Sequence, residues 1–315
     1  MVGYLAKRLL AVSLTLAAAS VLIFAVTQLL PGDVAQMILG EHATPESVAV
    51  IRAKLGLDAP WPVRYGKWIG GALRGDLGES LMAQGVPVGA QIYNNAKASL
   101  FLAGLAAAAV IPLALLLGCL SGLKPDSWLD RLISLAAMIS ISLPEFVSGI
   151  FLIIIFSLKL GWLPAASLID TSQSLWGQWR YLVLPIATLA LVLLGYIARM
   201  TRASVIETAG QPYIRAAQLK GLPLRRVIMG HLLRNALLPT VTIIAMNIGW
   251  LVGGLVVVET VFSYPGLGAL LITGITQRDV PLIQGTALLI VTVYMFLNFL
   301  ADVAYRLLNP RLRSA

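Results

Sequence analysis

The chain has 315 residues and a net charge of +9, with 58% apolar and only 12% charged residues. Soluble domains carry roughly 25% charged residues, so this surface cannot be water-facing all round, and disorder and collagen-like structure fall to the same arithmetic. The single cysteine, Cys119, excludes a disulfide scaffold within the chain.

A helix crosses the hydrocarbon core with about 20 apolar residues. Six stretches meet or approach that length: 9–30, 98–123, 132–158, 181–198, 236–258 and 283–301. All read as helices, because an open chain in lipid must satisfy its own backbone hydrogen bonds. The first follows Lys7 and Arg8 as a signal peptide would. It exceeds a secretory apolar region of about 7–15 residues and lacks a small-x-small cleavage site, so it reads as an uncleaved first span.

The segment 31–97 is amphipathic. Thr44-Pro45 marks a helix start, Val48, Ile51 and Leu55 follow on one face, and Gly56 stops the run. A second run holds Tyr65, Trp68, Ile69 and Leu73, and Trp61 and Trp68 suit a membrane interface. This predicts a small helical cap outside the membrane. In the third span Glu145 follows Pro144. A carboxylate at that depth either faces a substrate path or forms a structural hydrogen bond near a kink.

The segment 199–235 holds seven basic residues. Gln211-Pro212 opens a helix, Gly221 ends it and Pro223 opens another. Tyr213, Ala216, Ala217 and Lys220 share a face of the first, and Leu224, Val227, Ile228 and Leu232 a face of the second. The result is a helix–glycine–helix corner whose small residues suit close approach by another protein. In span five, Ala245, Gly249 and Gly253 form a small-residue stripe, either for packing within the bundle or for a seam with a second subunit. Asn247 ranks with Glu145 as a path-lining residue. Asp302, near the end of span six, has Arg306 four residues on as a pairing partner. Pro112, Pro185 and Pro239 read as kinks or helix starts.

With the N-terminus inside, 14 of the 23 basic residues lie on inner segments, and six of the rest lie in the long 31–97 segment. The positive-inside rule then places both termini in the cytoplasm and removes the support for a nucleic-acid partner. No Gly-x4-Gly-Lys-Ser/Thr loop is present, so an ATP site in this chain is not expected. His42 falls outside, His231 inside and Cys119 in span two, so no metal site or catalytic constellation is expected.

The run Tyr213-Ile214-Arg215-Ala216-Ala217-Gln218-Leu219-Lys220-Gly221-Leu222, followed by His231 to Pro239, resembles the EAA loop of binding-protein-dependent ABC importer permeases. More narrowly it resembles the first permease of the dipeptide/oligopeptide/nickel group. Leu30-Pro31-Gly32-Asp33, Leu55-Gly56-Leu57-Asp58, Phe262 to Gly268, Arg278 to Gly285, Asn298 to Asp302 and Asn309-Pro310-Arg311 agree in order and spacing. Arg215 stands where the general pattern has Glu, and no role is carried over to Lys97 or Phe101 before span two.

The resemblance implies an all-α, six-span membrane protein of the bacterial cytoplasmic membrane. Its parts would be 1–30 with span one, an extracytoplasmic segment 31–97 and a permease core 98–315 carrying the coupling loop 199–235. It implies contact with ATPase subunits through Tyr213, Arg215, Ala216, Ala217, Lys220, Gly221 and Leu222. It also implies a homologous second permease, two ATPase subunits holding ATP and Mg, and a soluble binding protein, all within membrane lipid. Peptides, nickel chelates and glutathione are compatible cargoes, and alternating access is the implied mechanism. The rival reading is a self-sufficient carrier or channel, which often gathers several ionisable groups near the midplane.

Overall fold

The computed structural model describes residues 2–29, 34–39, 43–56, 58–83, 85–169 and 174–308. Leu30-Pro31-Gly32-Asp33, His42, Leu57, Asn309-Pro310-Arg311 and Arg313 lie outside the described residues. The chain folds into α1 (Val2–Gln28), α2 (Val34–Leu39), α3 (Pro45–Leu55), α4 (Trp61–Ala72), α5 (Val88–Leu123), α6 (Trp128–Ser142) and α7 (Glu145–Leu152). A π turn, Ile153–Lys159, extends α7, and a 3-10 turn, Leu175–Gln178, leads into α8 (Trp179–Ala209). Then come α9 (Pro212–Leu219) and α10 (Leu224–Arg226), which runs through a second π turn, Val227–Leu232, into α11 (Leu233–Val261). The short α12 (Leu267–Gln277) and the long α13 (Val280–Leu308) complete the chain.

Five helices among the described residues are long and apolar enough to cross a membrane, or six if the bent pair α6–α7 counts as one span. In that pair the kink expected at Pro144 within 132–158 is a full break: its halves meet at 108°. Pro144 lacks an N–H and drives the preceding Leu143 into an extended conformation, φ −89° and ψ 129°. Pro112, Pro185 and Pro239 instead sit inside α5, α8 and α11 and start no helix.

The largest seam joins α5 to α8. Ala98, Leu102, Ala106, Val110 and Ala114 recur every fourth residue and are almost fully buried. The stripe continues through Gly118 and Gly122, where the helices touch backbone to backbone. A Cβ on Gly118 would stand 2.5 Å from the Thr201 Cβ and 2.6 Å from the Ala198 carbonyl oxygen. One on Gly122 would stand 2.7 Å from the Val205 Cβ. Small residues four apart flatten a helix face and let a neighbour approach closely.

The cap begins as its residues dictate. Thr44 and Ser47 form a reciprocal capping box, Pro45 takes the first helical position, and Gly56 ends α3 at φ +64°. On α4, Tyr65 and Trp68 pack on Phe24 of α1 at centroid distances of 5.5 and 5.8 Å, and the Tyr65 hydroxyl lies 2.8 Å from the Ser20 hydroxyl. Trp61 stays exposed. The α1 helix leans on α13 through a hydrogen bond from Gln284 to Thr27, 2.7 Å, and an ion pair between Arg8 and Asp302. Arg8, from the far end of the sequence, is thus a partner of Asp302.

Candidate functional site

The corner at one end of the bundle is built around α9. Gln211 is extended and Pro212 takes the first helical position. The helix ends in a Schellman turn: the Gly221 N–H donates to the Gln218 carbonyl at 2.9 Å and the Leu222 N–H to the Ala217 carbonyl at 3.4 Å. Gly221 has φ +74°, which an L side chain adopts only with strain. Ile214 and Ala217 turn into the chain's own core, packing with Val205, Val227, Leu232 and Ala236, with Leu222 against the edge. Tyr213, Arg215, Ala216 and Lys220 face outward. Ala217 therefore belongs to the seat of the helix and not to the outward face shared by Tyr213 and Ala216.

The second face also differs from the sequence reading. Val227 and Leu232 are buried, but Leu224 is 64% exposed. Leu224 stands in the first turn after Pro223, before the buried part of this helix, and a π turn follows it. Leu233 N–H bonds to the Ile228 carbonyl, five residues back, so a 3.6-residue period mis-phases the face. Leu219 is 84% exposed and Met229 63% exposed, so the corner presents an apolar tip among the basic residues Arg215, Lys220, Arg225 and Arg226.

This corner is tied to the bundle by polar contacts. The Ser204 hydroxyl of α8 donates to the Ala236 carbonyl of α11 at 2.6 Å. Beside it Asp130, at the start of α6, is buried and accepts both Arg202 Nε (2.6 Å) and Nη2 (2.7 Å). The Ser121 hydroxyl and the Asp126 N–H (2.8 Å) donate to the same carboxylate. Sequence reasoning counted Arg202 only as inner positive charge and did not single out Asp130. The available signal was Ser127, a helix cap three residues before an acid in the first turn.

Halfway up the bundle, Glu145 opens α7 and lies half-buried against Gly254 of α11, whose added Cβ would meet its carboxylate oxygens at 2.8 and 2.9 Å. Asn247 lies on the same side of α11 as Gly254, two turns earlier, and its amide donates to the Ile243 carbonyl at 2.8 Å. Of the small-residue stripe, Gly249 is a close contact: its Cβ would stand 3.0 Å from the Asn298 side chain of α13. Gly253 is exposed and meets nothing within 4 Å, so the intrachain approach next to it belongs to Gly254.

At the opposite end, Glu259 is fully buried and holds the start of α12. The Ser99 hydroxyl of α5 donates to one carboxylate oxygen at 2.5 Å and the Gly268 N–H to the other at 2.6 Å. Ser99 also accepts the Leu267 N–H, and the Tyr264 hydroxyl donates to the Ala98 carbonyl, both at 2.8 Å. Burial, with Glu259 nearby, raises the Tyr264 pKa and keeps the phenol a donor. Asp279, also buried, receives the Ser80 hydroxyl and caps α13 through Leu282 N–H at 3.2 Å. Sequence reading gave neither Glu259 nor Asp279 a role.

The model of a family described as binding-protein-dependent transport system inner membrane component matches residues 87–314, and a model of the N-terminal part of such components matches residues 1–100. A Brucella abortus (strain 2308) protein, provisionally named a peptide transport system permease protein, is 40% identical over 295 residues, 93% of each chain. The glutathione transport system permease proteins GsiC of Shigella flexneri and Salmonella typhimurium are each 36% identical over 313 residues, 99% of each chain.

Proposed function

The chain belongs to the binding-protein-dependent transport system inner membrane components and is a permease subunit of such an ABC importer; on that premise we propose that α9 is the element through which ATP hydrolysis in partner subunits moves it. The carrying observation is the corner itself: an exposed apolar tip on a helix whose other face is locked into α8 and α11. A docking partner gains apolar burial at Leu219, Leu224 and Met229, and the flanking basic residues favour an acidic rim.

Closure of two ATPase subunits around ATP and Mg would draw α9 inward. Ile214, Ala217, Val227 and Leu232 transmit that displacement as packing, because a close-packed core moves as a unit. The bundle would then alternate between inward- and outward-facing states, both termini being cytoplasmic. A homologous second permease completes the pathway, with exposed Gly253 suited to the seam between subunits. Glu145 and Asn247 line the path on this chain. Peptides or related small solutes, including glutathione, are the cargo this reading favours, delivered by an extracytoplasmic binding protein.

The test is a mild-detergent pull-down of the tagged chain from native membranes, with copurifying proteins identified and ATPase activity assayed. Recovery of ATPase subunits and a second permease, lost when Leu219 and Leu224 are both changed to Asp, supports the reading. A chain that purifies alone, from membranes whose other complexes stay intact, refutes it.

A further inference from the structure

We propose that Glu145 with Ser148 is an ammonium-recognition site in the path, with Asn247 the next acceptor along it, selecting cargo that carries a free amino group; this rests on the peptide reading above. A carboxylate at this depth is costly unless something pairs with it. Among the described residues nothing forms an ion pair or hydrogen bond with Glu145. No lysine or arginine occurs between Arg131 and Lys159, between Arg180 and Arg199 or between Arg234 and Arg278, so the stretches of α7, α8 and α11 that pack together here carry no cation. Among the described residues the counter-charge is therefore missing at the place where one is most needed.

The surroundings are acceptors. Ser148 shares the Glu145 face of α7, three residues on. Its hydroxyl is buried, 4% exposed, and has no hydrogen-bond partner. Asn247 spends its amide on Ile243, and among the described residues nothing donates to its side-chain carbonyl. It lies seven residues before Gly254, about 10 Å along the helix at 1.5 Å per residue, on the side toward α9. A primary ammonium has three donors and no acceptor. Glu145 and Ser148 would take it together, and Asn247 offers the next acceptor on the way to the α9 end.

The space for this is made by two features. The 108° bend leaves Leu143, Pro144 and Phe146 exposed around Glu145. Gly254 lets the carboxylate lie directly on the α11 backbone, where any side chain would displace it. An N-acylated peptide gains an acyl group and loses the charge and two of the donors, so the site discriminates against it.

The experiment uses the complete importer, reconstituted in proteoliposomes with its binding protein, and measures ATP-driven uptake of dialanine and N-acetyl-dialanine. Wild type, Glu145→Gln and Glu145→Asp share one binding protein, so its own preference cancels when variants are compared. The expected result is that Glu145→Gln lowers the dialanine to N-acetyl-dialanine uptake ratio about tenfold, the factor of one hydrogen bond to a charged group, while Glu145→Asp keeps most of it. An unchanged ratio, or an equal fall for both peptides, overturns the inference and leaves the peptide reading standing. Wild-type uptake of neither peptide refutes the peptide reading and this site with it. Should Glu145→Gln fail to assemble, Asn247→Leu gives the same comparison, with a fall of about threefold expected from one weaker acceptor and no change overturning the proposal.

Discussion

Replacing Gly118 by alanine tests whether the α5–α8 seam holds the bundle together. The new methyl would stand 2.5 Å from the Thr201 Cβ and 2.6 Å from the Ala198 carbonyl oxygen. Carbon atoms in contact sit about 3.5–4.0 Å apart, so the helices must part by about 1 Å. Neither neighbour can swing away, because one is backbone and the other is fixed to it. Overpacking of this kind costs about 1–3 kcal/mol. The parted helices also lose contact along flanking Ala114 and Gly122, which places the total at the upper end of that range. At about 2.1 cal/mol/K of unfolding entropy per residue, a chain of 315 residues shifts by about 1.5 °C per kcal/mol, so the melting temperature should fall by about 4 °C. The control is Gly104→Ala on the same helix. Gly104 lines an open cleft of about 240 Å³ between α5, α11 and α13, and its Cβ would meet nothing within 4 Å. Alanine there should be neutral or stabilising by up to about 1 kcal/mol from helix propensity. Thr201→Gly added to Gly118→Ala should restore only part of the loss, since the Ala198 carbonyl remains. The assay is fluorescence-detected thermal unfolding of the complex in detergent. Gly118→Ala melting within about 1 °C of wild type, less than the smallest overpacking cost predicts, would refute the seam argument.

Four other outcomes follow from the same geometry. Asp130→Ala should destabilise by about 3–5 kcal/mol because it strands the Arg202 guanidinium and the Ser121 hydroxyl; a cycle with Arg202→Ala should show a coupling of about 1–3 kcal/mol, and additive losses would deny the pair. Glu259→Ala should strip the acceptor from Ser99 and Gly268 at about 1–3 kcal/mol each. Amide exchange over 264–270 should then rise, and unchanged protection would show that the carboxylate does not hold α12. Leu219→Asp should lower recovery of ATPase subunits while leaving the melting temperature unchanged, because the side chain is 84% exposed; undiminished recovery would place the docking face elsewhere. Gly221→Val should be inserted yet lose about 1–2 kcal/mol of local stability at φ > 0 and uncouple ATP hydrolysis from uptake; normal coupled uptake at full expression would count against the Schellman turn as a coupling element.

Apolar runs, basic-residue asymmetry and cap chemistry were legible without coordinates. Hydropathy is a local sum, so each apolar stretch could be found by reading along the chain, and α3 follows from Thr44, Pro45 and Gly56 alone. The α9 corner was legible for the same reason, since Pro212 and Gly221 bound it locally. Its facing was not. The π turn at Val227–Leu232 changes the period, and which side of α9 is buried depends on where Val205 and Ala236 stand. The small-residue seam was sought in span five, where Gly249 and Gly253 stood out, although the longer four-residue stripe lies on α5. Spacing says that a neighbour can approach, and only packing says which helix has one.

Charged partners were the least legible. Arg8 and Asp302 lie 294 residues apart, Ser99 and Glu259 160, and Asp130 and Arg202 72. No local pattern carries such a pairing, because it depends on how the helices stack. The sequence by itself determined that this is a helical membrane protein with a helix–glycine–helix corner. The tertiary structure alone decided which acids are paired, and among the described residues it gives Glu145 no partner, because the stretches of α7, α8 and α11 that pack there bring oxygen atoms and a glycine but no cation.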